Sequence, residues 1–384
     1  MGKTTLVRNW FSDYDYISVE DPTIRGSLKQ LSAGDWSMLH PQCILDEVQK
    51  EPSLIESIKA TYDLYENTKY ILLGSSQILL LNKVKESLAG RCTILELFPL
   101  TIPELETPDT PLHDSLWQQL LAGTEIKYLP SSRLDPMSAQ KEKAMRHYLN
   151  FGGYPALVKD DITDEERYQW LSDYSHTYLE RDINDLANLR ELEPFFTLQK
   201  LLTLQTGQLF NASALGVKTG VSTKTIQRYL QYLSLSYQVI ILNAWERNTQ
   251  RRLIKSPKIH IIDNGIARAI LNRRGELNGN EFESAIISEL YKQSKAMDAE
   301  AKFYHLRTQD GKEVDLIVET AEGYYAFEIK MATRVTATDA RHLNSLEELL
   351  NDKPLLHCFV LSNDTETHHF TDKITALNSS YFLG

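Results

Sequence analysis

Met1-Gly2-Lys3-Thr4-Thr5-Leu6 opens the chain, and Cys43-Ile44-Leu45-Asp46-Glu47 follows farther on; the reading of the fold turns on these two stretches. The first is the second half of a phosphate-binding loop, G-x-x-x-x-G-K-[ST]. In such a loop backbone amides at a helix N-terminus cradle phosphates, the lysine reaches the β- and γ-phosphates, and the hydroxyl meets magnesium. That spacing makes Gly2, Lys3, Thr4 and Thr5 the phosphate-end candidates, with Met1 at the fourth variable position. The second stretch is an apolar run ending in two acids. There Asp46 is expected to order magnesium together with Thr4, and Glu47 to polarise an attacking water. A bare G-K-T is more often an ordinary helix start, and two acids at a strand end are as often solvated charges. Order is what carries the reading. Tyr70-Ile71-Leu72-Leu73-Gly74-Ser75-Ser76 comes next, a strand followed by hydroxyls suited to sensing a γ-phosphate. Leu88-Ala89-Gly90-Arg91 then supplies an arginine for a phosphoryl group in a neighbouring subunit, or for a surface acid.

Around these motifs residues 1–100 alternate helix-like segments with short apolar runs at Tyr16–Val19, Cys43–Leu45, Tyr70–Leu73 and Thr93–Leu97. Alternation of this kind predicts a parallel sheet covered by helices. Residues 101–190 read as a helical lid and connector, broken at Pro130-Ser131-Ser132-Arg133 and at Phe151-Gly152-Gly153-Tyr154-Pro155. Residues 191–274 hold a helix-turn-helix pattern. Gly220 ends its first helix, Ser222 caps the second, and Ile226, Tyr229, Leu230 and Leu233 form one apolar stripe. Strands at Gln238–Leu242 and Lys258–Ile262 would flank a polar loop as a wing. Residues 275–384 read as an α/β domain: a helix at Phe282–Tyr291, a hairpin of Val314–Val318 and Tyr324–Ile329, and a strand at Leu356–Leu361.

With 384 residues, 42% of them hydrophobic, the chain has material for several cores and is not disordered. Its apolar stretches, such as Ile78–Leu81, fall short of the roughly 18 residues of a membrane span. No leader-like segment opens it, and Cys43, Cys92 and Cys358 are too few and scattered for a disulfide framework or a zinc cluster. A cytoplasmic protein is the expectation, without membrane partners. The net charge of −11 repels phosphate, so nucleic-acid binding would need a local basic patch. Lys218 to Lys258 supplies one, with eight basic residues against the single acid Glu246. Lys224 and Arg228 lie on the presumed recognition helix and Arg247, Arg251 and Arg252 in the presumed wing, where DNA phosphates would be met. A solvated face or a protein-docking module is the alternative. The five tryptophans, Trp10, Trp36, Trp117, Trp170 and Trp245, are dispersed and read as core anchors, and the histidines show no zinc spacing.

Taken together, several of these segments resemble the prokaryotic AAA-type P-loop ATPases whose C-terminal half is a domain of unknown function. They are Asp46-Glu47-Val48-Gln49, Gly74-Ser75-Ser76, Gly90-Arg91 ahead of Leu95-Glu96-Leu97-Phe98-Pro99-Leu100, and Phe151-Gly152-Gly153-Tyr154-Pro155. Tyr178-Leu179-Glu180-Arg181-Asp182-Ile183, Thr206-Gly207-Gln208, Lys255-Ser256-Pro257-Lys258 and Asp263-Asn264-Gly265 extend the likeness over nearly the whole chain. The resemblance implies an ATPase core using ATP and Mg2+, a winged-helix module and a nuclease-like terminal fold. This chain departs from it by starting partway through the phosphate loop, so the expectation is an N-terminally incomplete P-loop sheet. An incomplete nest offers fewer amides to phosphates, which weakens nucleotide binding by the chain as it stands.

The terminal hairpin carries a third constellation. Alternation sends Glu328 and Lys330 to one face, where Asp315 of the neighbouring strand could join them. This resembles the PD-(D/E)xK nuclease core, with Glu283 in the preceding helix as the fourth position. Asp315 and Glu328 would hold a divalent metal, and Lys330 would orient water or stabilise charge at phosphorus. The bland alternative is a surface ion pair. The expectation is therefore a multidomain α/β protein that binds and hydrolyses ATP on or near DNA. A metal-dependent nuclease with a regulatory nucleotide domain and a non-catalytic DNA- or protein-binding adaptor are its rivals. Arg91 adds the prospect of a homo-oligomer.

Overall fold

The computed structural model describes the backbone of all residues except 1, 75–86, 107–112, 126–128, 130, 160, 188–191, 247–254, 309–310 and 351, and side chains for all of these but 178–187. Two compact units emerge: residues 1–97 with 177–190, and residues 98–176 with 191–384.

In the first unit Gly2, at φ 79°, takes the left-handed conformation that glycine tolerates best and starts α1 (Lys3–Trp10). There follow β1 (Asp15–Ser18), α2 (Pro22–Leu28), α3 (Ala33–Leu39), β2 (Gln42–Asp46), α4 (Leu54–Leu64) and β3 (Lys69–Leu72). Asp21 caps α2, and a reciprocal Ser32–Asp35 capping box starts α3. The sheet order is β1-β2-β3, all parallel, with Ile44 opposite both Tyr16 and Ile71. Parallel neighbours cannot be joined by a tight turn, and the intervening helices make the crossovers. Central β2 is buried on both faces; Cys43 and Leu45 pack with Trp36, Val48, Leu54 and Ile55.

Three of the four apolar runs thus become strands, and the fourth does not. Thr93–Leu97 has no regular structure; Ile94 is 49% and Leu95 88% exposed. Apolar side chains alone do not make a strand: its amides and carbonyls need a partner, and the described sheet ends at β1 and β3. Trp10 also departs from the expected core role at 79% exposure, because α1 buries none of its residues. Trp36 and Trp117 are fully buried as expected.

The second unit begins with α5 (Ile102–Glu106), α6 (Leu116–Leu121), α7 (Ser138–Phe151) and α8 (Asp164–Ala187), the last running on into the first unit's residues. Next come α9 (Glu193–Leu204), α10 (Ala212–Thr219) and α11 (Thr223–Leu235). Gly220 ends α10 at φ 73°, and the Ser222 hydroxyl accepts from the Thr225 amide at 3.2 Å. The α11 stripe of Ile226, Tyr229, Leu230 and Leu233 is buried, with Tyr229 edge-on to Phe195 of α9. β4 (Val239–Ala244) and β5 (Lys258–Ile261) form an antiparallel hairpin, but it does not stand free. β4 also pairs in parallel with β6 (Lys302–Arg307), which joins the hairpin to an eight-stranded sheet.

That sheet runs β10-β11-β9-β8-β7-β6-β4-β5. Its other strands are β7 (Glu313–Glu319), β8 (Tyr324–Ile329), β9 (Leu355–Ser362), β10 (His368–Thr371) and β11 (Ile374–Asn378), with helices α12 (Asn264–Ile270), α13 (Gly279–Ala296), α14 (Leu346–Leu349) and α15 (Ser379–Leu383). Phe282, Ile286 and Leu290 of α13 pack with Trp117, Phe327, Phe359 and Phe382 in one core. Tyr324, Ala326, Val360 and Leu346 belong to a second.

Three of the quoted motifs meet inside this unit. The Gly153 amide donates to Asp263 at 2.9 Å, and the Leu100 amide donates to the Gly153 carbonyl at 2.7 Å. A Cβ on Gly153 would lie 2.1 Å from the Leu100 carbonyl oxygen, and one on Gly265 2.1 Å from that of Phe151. These glycines are where backbone touches backbone. Fully buried Lys292 seals the junction, donating to the Leu100 carbonyl at 3.1 Å and pairing with Glu289 at 2.9 Å.

Candidate functional site

In the first unit the opening motif and the strand-end acid come together at Thr4 and Asp46. Thr4, in the first turn of α1, donates its hydroxyl to Asp46 Oδ2 at 2.7 Å. Asp46 is the last residue of β2, so the strand's end presents its carboxylate to the start of the helix that follows Gly2. Tyr16 of β1 donates to the same oxygen at 2.8 Å, and the Glu47 amide donates to Oδ1 at 3.0 Å. Tyr16 was not legible as a site residue. Nothing in its own run marks it, and only the β1–β2 register places it beside the acid. Burial, and then its bond to Asp46, push the Tyr16 phenol up to about 12, so it stays a donor throughout the physiological range. The Arg8 guanidinium lies 4.7 Å from the Tyr16 ring centroid. Glu47 has a left-handed backbone at φ 58°, and Gln49 donates its side-chain amide to the Glu47 carboxylate. Lys3 begins α1 next to Thr4. Arg91 takes the surface-acid alternative, donating to Asp63 at 2.7 Å. Ser75 and Ser76 lie outside the described residues.

The basic segment divides in two. Lys218 on α10 and Lys224 and Arg228 on α11 are exposed, and Val217 beside them is 86% exposed. Arg247, Arg251 and Arg252 lie outside the described residues. Lys255 pairs with Glu246. Lys258 does not belong to a basic face at all: it is 4% exposed and reaches Glu313 at 2.9 Å and Glu283 at 3.3 Å. Counting charge along the chain put it in the wrong place, because β5 is buried along its whole length.

Around Lys258 the terminal constellation assembles. Lys330, just past β8, lies 2.7 Å from Glu328 and 3.6 Å from Asp315 of β7, while the Ile329 amide donates to Asp315 at 2.8 Å. Glu283 joins from α13 through Lys258. His342 donates its Nδ1–H to the Glu313 carbonyl, 2.8 Å away, and the same nitrogen is 3.9 Å from Glu328 Oε1. Burial and then the Asp315 charge push Glu283 up to about 7 and Glu328 up to about 8. Burial works against the Lys258 ammonium, yet Glu283, Asp315 and Glu313 together hold its pKa above the ordinary lysine value. Glu328 Oε1 is buried without a hydrogen-bond partner. Such an oxygen, in a nest of carboxylates, is the donor a hard cation takes. Among the described residues, however, no group of three or more His, Cys, Asp or Glu side chains is arranged to hold a metal ion. The carboxylates are turned onto lysines. Lys258, Glu313 and His342 were missed in the sequence, the last two for want of any motif.

Residues 1–106 match the AAA domain family, 142–277 a domain of unknown function (DUF8612) and 278–382 another (DUF4143). An uncharacterized protein of Mycobacterium tuberculosis is 26% identical over 350 residues, 88% of this chain and 68% of that protein. One of Haemophilus influenzae is 22% identical over 305 residues, 76% of this chain and 67% of that protein. Among solved structures a Walker-type ATPase of Pyrococcus abyssi aligns at a TM-score of 0.38 and 13% identity, covering 70% of this chain and 75% of that one. The AAA match falls on the residues that hold the Thr4–Asp46 bond and supports an AAA-type P-loop module there. No helix among the described residues is long and apolar enough to cross a membrane.

Proposed function

We propose that the first unit carries the magnesium and γ-phosphate end of an ATP site, and that the protein binds and hydrolyses ATP while acting on or near DNA. One observation carries this reading: the Thr4 hydroxyl and the Asp46 carboxylate share a hydrogen bond although 42 positions separate them. A helix start after a left-handed glycine, a lysine and a hydroxyl, set against a strand-end acid, is what a triphosphate with its cation needs. Oxygen donors of this kind suit Mg2+, which when bound would offset phosphate charge. Thr4 and Asp46 would hold it. Lys3 would meet the phosphates with the amides of Gly2 to Thr5, and Tyr16 would fix the Asp46 carboxylate. Glu47 would take the proton of the attacking water, which requires its carboxylate to leave Gln49. Ser75 and Ser76 would sense the γ-phosphate, and Arg91 would act across a subunit boundary of a homo-oligomer only after releasing Asp63.

The test is ATP turnover and MgATP affinity, measured on the chain as it stands and with the loop completed to G-x-x-x-x-G-K-T. Asp46→Asn is expected to lower turnover by about a hundredfold, because the cation that would offset phosphoryl charge loses its carboxylate. Glu47→Gln should keep MgATP binding and lose hydrolysis. Absence of turnover in the completed chain, or a Glu47→Gln variant that turns over normally, overturns the assignment.

For the DNA part, the exposed Lys218, Lys224 and Arg228 support a phosphate-contacting face on α10 and α11. Neutralising Arg251 and Arg252 should flatten the salt dependence of DNA affinity in fluorescence anisotropy. Indifference to that change favours a protein-docking role.

A second reading is favoured by the orphaned Glu328 Oε1. Asp315 and Glu328, with Glu283 nearby, would hold a divalent cation, and Lys330 would stabilise charge at a phosphodiester. Cation-dependent cutting lost in Asp315→Ala would support it, and no cutting of single- or double-stranded DNA would dismiss it.

A further inference from the structure

We propose that Gln49 is a latch on Glu47: its side-chain amide holds the carboxylate that would take the proton of the attacking water, and a shift of the β3 end against the Glu47 turn releases it. This inference rests on the reading of the first unit as an ATP-hydrolysing module and names what regulates its base. Gln49 donates its side-chain N–H to Glu47 Oε2, with Val48 between the two residues. A neutral N–H on a carboxylate oxygen fixes the direction of the group and takes up a lone pair that a water hydrogen would otherwise meet. Glu47 thus supplies the base, and Gln49 sets where that base points.

The latch is fastened into the fold from more than one side. Gln49 is 8% exposed, and Val48 is fully buried beside Trp36, Leu54 and Ile55. Both lie in a single 3-10 turn, Val48–Lys50, whose Lys50 amide donates to the Glu47 carbonyl at 2.9 Å. From α2, Arg25 donates to the Lys50 carbonyl at 3.4 Å and Lys29 pairs with Glu51 at 3.3 Å. Glu47 itself, at φ 58°, has a backbone that a residue with a Cβ seldom keeps. Such a conformation persists where surrounding contacts over-determine it, and it relaxes when one of them gives way.

One of those contacts leads toward the sensing hydroxyls. The Val48 amide donates to the Leu73 carbonyl at 3.1 Å, and the Leu73 amide donates to the Leu45 carbonyl at 2.8 Å. Leu73 directly follows β3 and directly precedes Gly74-Ser75-Ser76, the stretch read as sensing a γ-phosphate. A displacement of Leu73 therefore acts on Val48, the residue between base and latch. Because Glu47 and Gln49 leave the backbone on either side of Val48, a small rotation there separates their side chains.

The experiment has one arm without nucleotide and one with it. In the nucleotide-free full chain, labelled with 15N at glutamine, the Gln49 side-chain amide is followed by NMR. Glu47→Ala is expected to speed its hydrogen exchange about tenfold, the weight of one charge-assisted hydrogen bond. In the chain with a completed loop, Gln49→Met is expected to raise kcat about threefold or more with KM and MgATP affinity unchanged, since a restraint on the base touches kcat alone. A residue that only packs would leave kcat the same or lower it. Exchange no faster in Glu47→Ala, or an unchanged or lower kcat in Gln49→Met, overturns the latch, while turnover by the parent leaves the ATP reading standing. If the completed parent neither binds nor turns over MgATP, both fall. Should Gln49→Met not fold, the completed parent decides. A non-hydrolysable MgATP analogue should bring its Gln49 amide to the exchange rate of Glu47→Ala, and an unmoved rate overturns the proposal.

Discussion

Asp46 and Asp315 are both acids on β-strands that sequence reading assigned to a metal, yet the molecule treats them oppositely. The described donors to Asp46 are neutral: the hydroxyls of Thr4 and Tyr16 and the Glu47 amide. Asp315 also accepts a neutral donor, the Ile329 amide at 2.8 Å, but its cluster adds ammonium groups, Lys330 at 3.6 Å and Lys258 across Glu283 and Glu313. Neutral donors orient a carboxylate and leave its charge in place for a cation; ammonium donors orient it and cancel the charge. The described bonds of Asp46 thus come from hydroxyls and an amide, and the acids of the second cluster lie against lysines. The lesson is that a motif lists the acids, while the donors around them decide whether they are available.

Several measurements can break or sharpen that contrast. The largest effect is expected where an ammonium in the second unit has the least access to water. Lys292→Met strands the buried Glu289, its partner at 2.9 Å, and should destabilise that unit by about 3–5 kcal/mol in urea unfolding followed through buried Trp117. A loss under 1 kcal/mol would mean, at this order of magnitude, that its buried ammonium groups are not what hold its acids.

Next comes pH. Glu283 and Glu328 are raised to about 7 and about 8, above the ordinary glutamate value of 4.5. At these two sites the folded state binds more protons than the unfolded one between 4.5 and 8, so their contribution is full at the acid end and is lost as pH rises through the two folded values. Buried His147, His260, His305 and His357, lowered from 6.5 to about 3 or 4, act the opposite way below 6.5. The second unit should lose stability as pH rises from 6.5 to 8, where those histidines are neutral in both states, and Glu328→Gln should reduce that slope. A slope of the opposite sign would show that lysine pairing outweighs burial.

Tyr16→Phe removes one neutral donor from Asp46. It should cost about 1 kcal/mol, read as several-fold weaker MgATP binding in the chain with a complete loop. An unchanged affinity would reduce the Tyr16 bond to packing. The smallest effect is expected at Asp63→Asn, which releases Arg91 from an exposed pair that solvent screens. Melting should not move, and a marked loss would make that pair part of the first unit's stability.

Much of the fold was legible because local rules agreed with one another. Gly220, Ser222 and the stripe from Ile226 to Leu233 are a stop, a cap and a face, and each appears as read. The terminal hairpin was likewise legible by alternation. What misled was anything that needs a distant partner. Thr93–Leu97 has strand composition without a neighbour among the described strands, and the hairpin read as a wing is built into the large sheet through β6. Of the candidate site residues, Thr4 and Asp46 were named by motif order, and Glu283, Asp315, Glu328 and Lys330 by strand alternation and likeness to a nuclease core. Tyr16, Lys258, Glu313 and His342 were not recognised, since each gains its role from pairing across strands or packing against a helix.

The sequence by itself determined which residue types stand at strand ends and helix starts, because backbone preference, capping and apolar period act within a few residues. It thereby named the hydroxyl, the lysine and the acids. Only the tertiary structure decided the company those acids keep. Electrostatic energy falls with distance in space and rises with burial, and neither can be measured along the chain. Lys258 shows this most directly: one of eight basic residues in a row of sequence, it becomes a buried counter-ion once β5 turns it toward Glu283.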